Sequence, residues 1–423
     1  MKSKIKSNIK AKKSQMSIVL MLAVIIIFLA AFFIYVSFSS SKSRAVLKAE
    51  VAKLSPSYTK PLKEYIEACL DKTVSRGIRN LGEHTGIIDK KDGGVFDFSD
   101  FSSAYIIHNG EEVFYGMLAE ECAGDKKSCG FSKLQGLDEK SGLAGTTIKE
   151  NLESYIKNKI EECTNFGKAS DPFMQQGFKI TRDPNPSRGE IKASVVFLQD
   201  KVSTQLSMPL KVVNEASGET ISIGSFSRDT SSRIKEIHDY ANYILSKDIE
   251  DSEYDLLIDS SINPHPVNMI SAVARKSDGD DMIEIKDAYY PTSYSFRFAR
   301  QNRIPVIESI SADKLNVEGR DPANDPVEDK NKITFTIVAK DYDEDELILF
   351  VNGMELSNYM LKKIENSKRG VYIFSYEYVA SEDVKKEEKI TFSFSVNDIH
   401  EKGSVISPLT ASIITIKPKP IVP

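Results

Sequence analysis

Three aspartates alternate along one short acidic turn. Asp341, Asp343 and Asp345 follow an apolar run that alternates as a strand does. This spacing brings carboxylate oxygens close together, and calcium prefers such clustered oxygen ligands. The turn lacks the later glycine and the bidentate glutamate of an EF-hand loop. Two interpretations stay open: a weak calcium site at these three aspartates, or a solvated acidic turn.

The four cysteines offer two candidate disulfides. Cys69 and Cys163 lie on the apolar faces of two predicted helices, and Cys122 and Cys129 bracket a short polar loop. Closing the long loop between the helices would stabilise the fold by about 3–5 kcal/mol, so this pair is predicted first. The alternative is that all four thiols are reduced. Zinc is disfavoured, because no C-x-x-C spacing occurs.

The sequence contains no recognisable catalytic motif. Its five histidines are far apart, neither H-E-x-x-H nor G-x-S-x-G occurs, and the run GLAGTT at 142–147 lacks the lysine of a phosphate loop. We therefore predict a protein that is not an enzyme and that needs no cofactor other than the candidate calcium. The weakest alternative is an envelope hydrolase whose site is assembled from distant residues.

One segment decides where these groups lie. Residues 18–38 (IVLMLAVIIIFLAAFFIYVSF) are apolar and uncharged, and as a helix they would cover about 30 Å, the thickness of a bilayer core. The preceding segment, 1–17, is rich in lysine, which predicts a single-pass cell-membrane protein with its N-terminus inside and its bulk extracytoplasmic. A cleaved secretory peptide is one alternative. The remaining chain is acidic, which argues against nucleic acid as a partner.

The residues just before this segment suggest a second alternative. The run KKSQMS at 12–17 resembles the class III signal peptides of archaeal type IV pilin-like proteins. The resemblance implies cleavage between Ser14 and Gln15, with the apolar helix kept on the mature chain. Val19 stands where that family carries an acidic residue. A pilin-like component of a filament or secretion assembly is therefore the alternative function.

Helices and strands are mixed after a neck at 39–58. Helical periodicity predicts helices from Thr59 to Leu81 with Gly82 as C-cap, from Thr147 with a Glu150 capping box to Asn165, and from about Asp229 to Lys247. Alternating runs between them predict hairpins. This mixture predicts an α+β region with antiparallel sheets, divided into a helix-rich subdomain at 59–172 and a sheet-rich one at 173–302.

The sequence pattern changes at 303–417, where strands and no helices are predicted. The strands are expected at Val306–Ile310, Ile333–Lys340, Glu346–Val351, Val371–Val379, Ile390–Val396 and Ala411–Ile416. Their number and spacing predict an immunoglobulin-like sandwich, followed by a proline-rich tail at 418–423. The runs DYDEDEL at 341–347 and FSFSVND at 392–398 resemble those of PKD and cadherin-like modules.

The predicted architecture is thus a transmembrane helix, an α+β ectodomain and a C-terminal all-β sandwich. The chain as a whole resembles archaeal single-pass surface proteins. We expect a membrane-anchored extracytoplasmic binding or structural protein of the cell envelope. Its expected partners are the lipid bilayer and a protein or polymer outside the cell.

Overall fold

The computed structural model describes much of the chain beyond residue 55. The described ranges are 56–120, 130–142, 145–168, 171–182, 190–251, 254, 270–277, 279–288, 294–320, 326–352, 354–355, 370–380, 386–398 and 410–418. The predicted membrane segment 18–38, the predicted processing site at Ser14 and Gln15, and the Cys122–Cys129 pair lie outside them. Within these ranges, no helix is both long enough and apolar enough to cross a bilayer.

The predicted α+β class is wrong for the described residues, and the predicted N-terminal transmembrane helix lies outside them. The described residues are 45% strand and 27% helix, so the fold is mostly β, with several sheets and three helices. One reason is that strands continue beyond their predicted ends, as in Lys201–Asn214 and Thr220–Ser231. An irregularity between Ser207 and Leu210 accommodates Pro209, which cannot donate to the ladder.

The three helices are α1 (Pro56–Glu83), α2 (Ile148–Thr164) and α3 (Ile234–Glu250). The capping box of α2 is confirmed, because Thr147 Oγ1 accepts from the Glu150 amide and Glu150 accepts from the Thr147 amide. The Asn165 C-cap is confirmed as well.

Two predicted helix ends are wrong for steric and pairing reasons. Gly82 lies inside α1, where a Cβ would come 2.0 Å from the Ser295 carbonyl oxygen, so close packing explains this glycine. α3 does not begin at Asp229, because the backbone of this residue pairs with Ser203 in a strand that runs to Ser231.

Residues 56–300 contain two sheets, and we call this region the N-terminal unit. The strands of the first sheet are β1 (Tyr105–His108), β2 (Glu111–Ala119), β3 (Gly130–Ser132), β8 (Ile270–Ser277), β9 (Asp280–Asp287) and β10 (Tyr294–Arg300). Their order is β1-β2-β10-β9-β8 with β3 on β2, and β10 runs parallel to β2. The strands of the second sheet are β4 (Phe178–Arg182), β5 (Lys192–Phe197), β6 (Lys201–Asn214) and β7 (Thr220–Ser231). In this sheet β6 pairs with β4, β5 and β7.

A large apolar core lies in the N-terminal unit, apart from two smaller clusters that include Phe98 and Met282. It joins α1, α2 and α3 to both sheets, with Leu70, Ile156 and Phe298 fully buried in it. Residues on both sides of the predicted subdomain boundary at 172/173 contribute to this core.

Residues 306–418 form the C-terminal unit, whose described residues contain strands and one short 3₁₀ turn. The strands are β11 (Val306–Ala312), β12 (Asn316–Glu318), β13 (Lys332–Lys340), β14 (Leu347–Val351), β15 (Met354–Glu355), β16 (Val371–Val379), β17 (Glu388–Asp398) and β18 (Thr410–Lys417). They make two sheets, β11-β13-β16 and β12-β18-β17-β14-β15, around a separate core that includes Phe335 and Phe394. The six strand positions expected from sequence are confirmed.

Candidate functional site

Charged side chains converge where the two units meet. The short connection 301–305 joins β10 to β11 and lies beside the turn that follows β13. We call the five residues that meet there the junction cluster: Asp248 on α3, Asp281 on β9, Arg300 on β10, Arg303 in the connection, and Asp343 in the turn. Each of their side chains is nearly or fully buried.

Arg300 donates hydrogen bonds to all three aspartates of this cluster. Its Nη1 donates to Asp248 Oδ1 at 3.0 Å, and its Nη2 donates to Asp343 Oδ1 at 2.8 Å and to Asp281. Burial alone would lower the pKa of Arg300, but the charges of Asp248, Asp343 and Asp281 outweigh it and raise the pKa. The guanidinium therefore stays charged and ties α3 and β9 to the C-terminal unit.

Arg303, in the connection 301–305, binds the turn that carries Asp343. Its Nε and Nη2 donate to Asp343 Oδ1 at 3.0 and 2.8 Å, and its backbone amide donates to Asp343 Oδ2 at 2.7 Å. Nη2 also donates to the Tyr342 carbonyl at 2.8 Å, and Nη1 lies 3.4 Å from Asp248 Oδ1. Asp343 Oδ1 thus accepts from the guanidinium groups of both arginines, and Asp343 Oδ2 accepts from the Arg303 backbone amide.

Three other aspartates form a neighbouring group, which we call the aspartate triad. Asp341, Asp345 and Asp398 are 1%, 7% and 0% exposed, and one carboxylate oxygen from each lies within 4.8 Å of the others. The structure therefore groups Asp341 and Asp345 with Asp398 at the end of β17. Asp343, which sequence spacing had placed with them, faces the arginines instead.

Asp341 is unusual within the triad. Its Oδ1 accepts from the amides of Asp343 and Asp345 at 2.8 and 3.0 Å, whereas its buried Oδ2 has no hydrogen-bond partner among the described residues. Burial raises the pKa of Asp341 to about 7, with the charges of Asp343 and Asp345 adding to the rise and their amides opposing it. Burying an ionised carboxylate at this position costs free energy unless a cation binds it or a proton neutralises it.

Asn302 connects the triad to the N-terminal unit. Its side-chain amide donates to Asp398, and its backbone amide donates to Asp280 Oδ1 at 2.7 Å. Asp280 Oδ2 in turn accepts from the Tyr115 hydroxyl at 2.6 Å. Burial, and then the hydrogen bond and charge of Asp280, raise the pKa of Tyr115, so the hydroxyl remains a donor at neutral pH.

The sequence interpretation missed most of this site. Asp398 ends the run FSFSVND, and Arg300, Asn302 and Arg303 stand together at the predicted boundary near 302/303. Charged residues at a domain boundary were the available signal. The sequence around Asp248 and Asp281 gave no such signal, because the role of these residues depends on which helices and strands meet at the junction.

The Cys69–Cys163 disulfide is confirmed. It joins α1 to α2 with a Cα–Cα distance of 5.6 Å, across 94 positions of sequence. Cys69 is 5% exposed, so the bond belongs to the core of the N-terminal unit.

A second, more open group of metal-type ligands lies at the end of α1. His84, Glu111 and Glu112 each offer one atom within 4.8 Å of the others. His84 Nδ1 lies 2.7 Å from the Glu112 carbonyl oxygen, and Glu111 is exposed. The contact of His84 with the Glu112 backbone and the 3.7 Å approach of His84 Nε2 to Glu111 Oε2 bring these residues together.

A comparison with protein-family models found no match, and a comparison with curated protein sequences found no significant match either. The pilin-like and PKD/cadherin-like resemblances therefore stay predictions.

Proposed function

We propose that this chain is a non-catalytic extracytoplasmic protein of the cell envelope with a binding or structural role. The apolar segment 18–38 would hold it at the membrane, with the described units outside. The observation that carries this proposal is the Cys69–Cys163 disulfide, because such bonds persist in oxidising compartments outside the cytoplasm.

The junction cluster supports a structural role for the described residues. Arg300 and Arg303 bind Asp343 of the C-terminal unit and Asp248 of the N-terminal unit at the same time. A buried, multiply bonded ionic contact fixes orientation, as geometry-specific charge pairs do. The chain would therefore present its C-terminal sheets at a defined position relative to the N-terminal unit. The expected partner is a protein or polymer of the envelope, and the acidic chain does not favour nucleic acid.

Protease protection tests the location. The full chain with an epitope after Pro423 should lose that epitope when protease is added to intact cells or spheroplasts. A cytoplasmic marker in the same sample should survive as the control. Full protection of the epitope in intact spheroplasts, with digestion only after lysis, would contradict the proposal.

The same preparation separates the pilin-like alternative. N-terminal sequencing of the native protein should not give a start at Gln15 if the basic segment stays attached. A Gln15 start would favour the processed, pilin-like form.

A further inference from the structure

The aspartate triad contains a buried carboxylate oxygen that has no hydrogen-bond partner among the described residues. Asp341 is 1% exposed, and its Oδ2 has no hydrogen-bond partner within the described ranges. Its Oδ1 is already held by two backbone amides, which fix the direction of the carboxylate. Buried polar atoms in folded proteins almost always have partners, so this oxygen requires an explanation.

The surrounding oxygens have the geometry of a hard-cation site. Calcium binds oxygen ligands at about 2.3–2.6 Å, so two oxygens on opposite sides of one ion lie about 4.8 Å apart. The carboxylate oxygens contributed by Asp341, Asp345 and Asp398 fall within that separation of one another. These separations are therefore compatible with one ion contacting all three.

We propose that Asp341, Asp345 and Asp398 bind one divalent cation, and that calcium is the natural occupant. The choice of calcium rests on the proposed extracytoplasmic location, where calcium is available at millimolar concentration. Calcium is also suited to the site because it tolerates irregular coordination by carboxylates, carbonyls and water. Asp343 is not a ligand in this proposal, because both of its oxygens accept from arginine donors.

Occupation of the site would reinforce the contact between the two units. Asp398 accepts from the Asn302 side chain, and Asn302 is bonded through its amide to Asp280 of β9. The amides that hold Asp341 belong to Asp343 and Asp345, and Asp343 is the residue that the arginines bind. A cation in the triad thus orders the turn that carries Asp343 and the strand end that meets the connection.

The experiment uses the full chain, purified in detergent and treated with EDTA. Calcium chloride alone is the probe, with calorimetric titration and thermal unfolding as the measurements. We expect one ion per chain, a Kd of about 10⁻⁴–10⁻³ M as in extracellular modules, and a higher melting temperature in calcium than in EDTA. These readouts do not depend on where the protein lies in the cell, so they can fail independently of the proposed location.

Matched variants separate a cation site from a buried protonated acid. Asp341→Asn preserves shape and the Oδ1 acceptor while removing the charge. In EDTA this variant should be at least as stable as the wild type, because a buried charge has been removed. In calcium it should gain nothing, and its affinity should fall at least about tenfold, as should that of Asp398→Asn. Asp329→Asn, at an aspartate whose side chain is 95% exposed, should respond to calcium as the wild type does.

Two results would overturn the proposal. One is a wild-type melting temperature that is the same in millimolar calcium and in EDTA. The other is a full calcium response in both Asp341→Asn and Asp398→Asn, which would place the ion elsewhere.

Discussion

The two units of this chain are stabilised in different ways. The N-terminal unit packs three helices against two sheets and adds a disulfide between α1 and α2. The C-terminal unit packs two sheets around aromatic rings such as Phe335, Phe392 and Phe394, and its sequence has no cysteine. Its charged end, with Asp341, Asp343 and Asp345, faces the N-terminal unit.

This difference suggests that the units depend on the junction unequally. A disulfide limits the unfolded ensemble of the N-terminal unit whatever happens at the junction. The C-terminal unit has no such cross-link and buries three acidic side chains close together. The stability of the C-terminal unit therefore depends more on Arg300, Arg303 and the proposed cation than the stability of the N-terminal unit does.

The largest expected effect comes from removing a junction arginine. Arg303→Met should lower the free energy of unfolding by about 3–5 kcal/mol, because Asp343 and Asp248 would lose a buried cation. Denaturant titration with a probe in each unit measures this loss, and the C-terminal unit should unfold first. Lys330→Gln, which removes exposed ion pairs, is the control and should leave the free energy of unfolding nearly unchanged. Equal shifts in both units would contradict the unequal dependence.

The next effect is confined to the N-terminal unit. Replacing Cys69 and Cys163 together by alanine should cost about 2–5 kcal/mol, because the loop between them is long. Unfolding followed separately in each unit should show the loss in the N-terminal unit. The interpretation fails if the C-terminal unit is destabilised by the same amount.

A smaller loss should follow from breaking the capping box of α2. Thr147→Ala removes the acceptor of the Glu150 amide and should lower the free energy of unfolding by about 0.5–2 kcal/mol. Thr147→Ser keeps the hydroxyl and is the matched control. If both variants unfold at the same denaturant concentration, the cap does not contribute.

The smallest expected effect is a pH response of the N-terminal unit. Burial lowers the pKa of His238 on α3, whereas its contact with the Gln135 carbonyl oxygen, 2.7 Å from Nε2, and the charge of Asp239 oppose this, and Lys235 adds to it. Asn242 and the Phe296 ring also face the imidazole. The unfolded chain binds a proton below about pH 6.5 more readily than the folded chain does, so stability falls as pH falls.

The size of this response is limited by linkage. Between pH 7 and pH 6 the loss should be at most about 0.7 kcal/mol, measured by denaturant titration at both values. His238→Gln should flatten the dependence. His400 of the C-terminal unit lies outside the described residues, so the comparison of wild type with His238→Gln, and not a difference between the units, assigns the response. An unchanged slope in the glutamine variant would assign it to another group.

Local patterns predicted local structure well. β13 buries every second residue, which is the alternation that placed it, and the capping box placed the start of α2. Pairings between distant segments were not predictable in this way. The parallel contact of β2 with β10 joins Tyr115 to Ala299, and no sequence period records such a contact.

The candidate site illustrates the same limit. The acidic turn was visible because its aspartates are adjacent in sequence, so Asp341 and Asp345 were identified correctly as neighbours. Their third partner, Asp398, lies at the end of another strand, and the arginines that bind Asp343 come from the connection and β10. Side-chain role here depends on tertiary packing, which spacing alone does not encode.

The contact of Arg300 with Asp343 tests the central claim most directly, because it joins the two units through one hydrogen bond of 2.8 Å. A double-mutant cycle with Arg300→Met, Asp343→Asn and the combined variant, followed by denaturant unfolding of the full chain, gives their coupling energy. If the junction holds the units together, the two losses should be non-additive by about 0.5–3 kcal/mol. Additive losses, within about 0.3–0.5 kcal/mol, would contradict it.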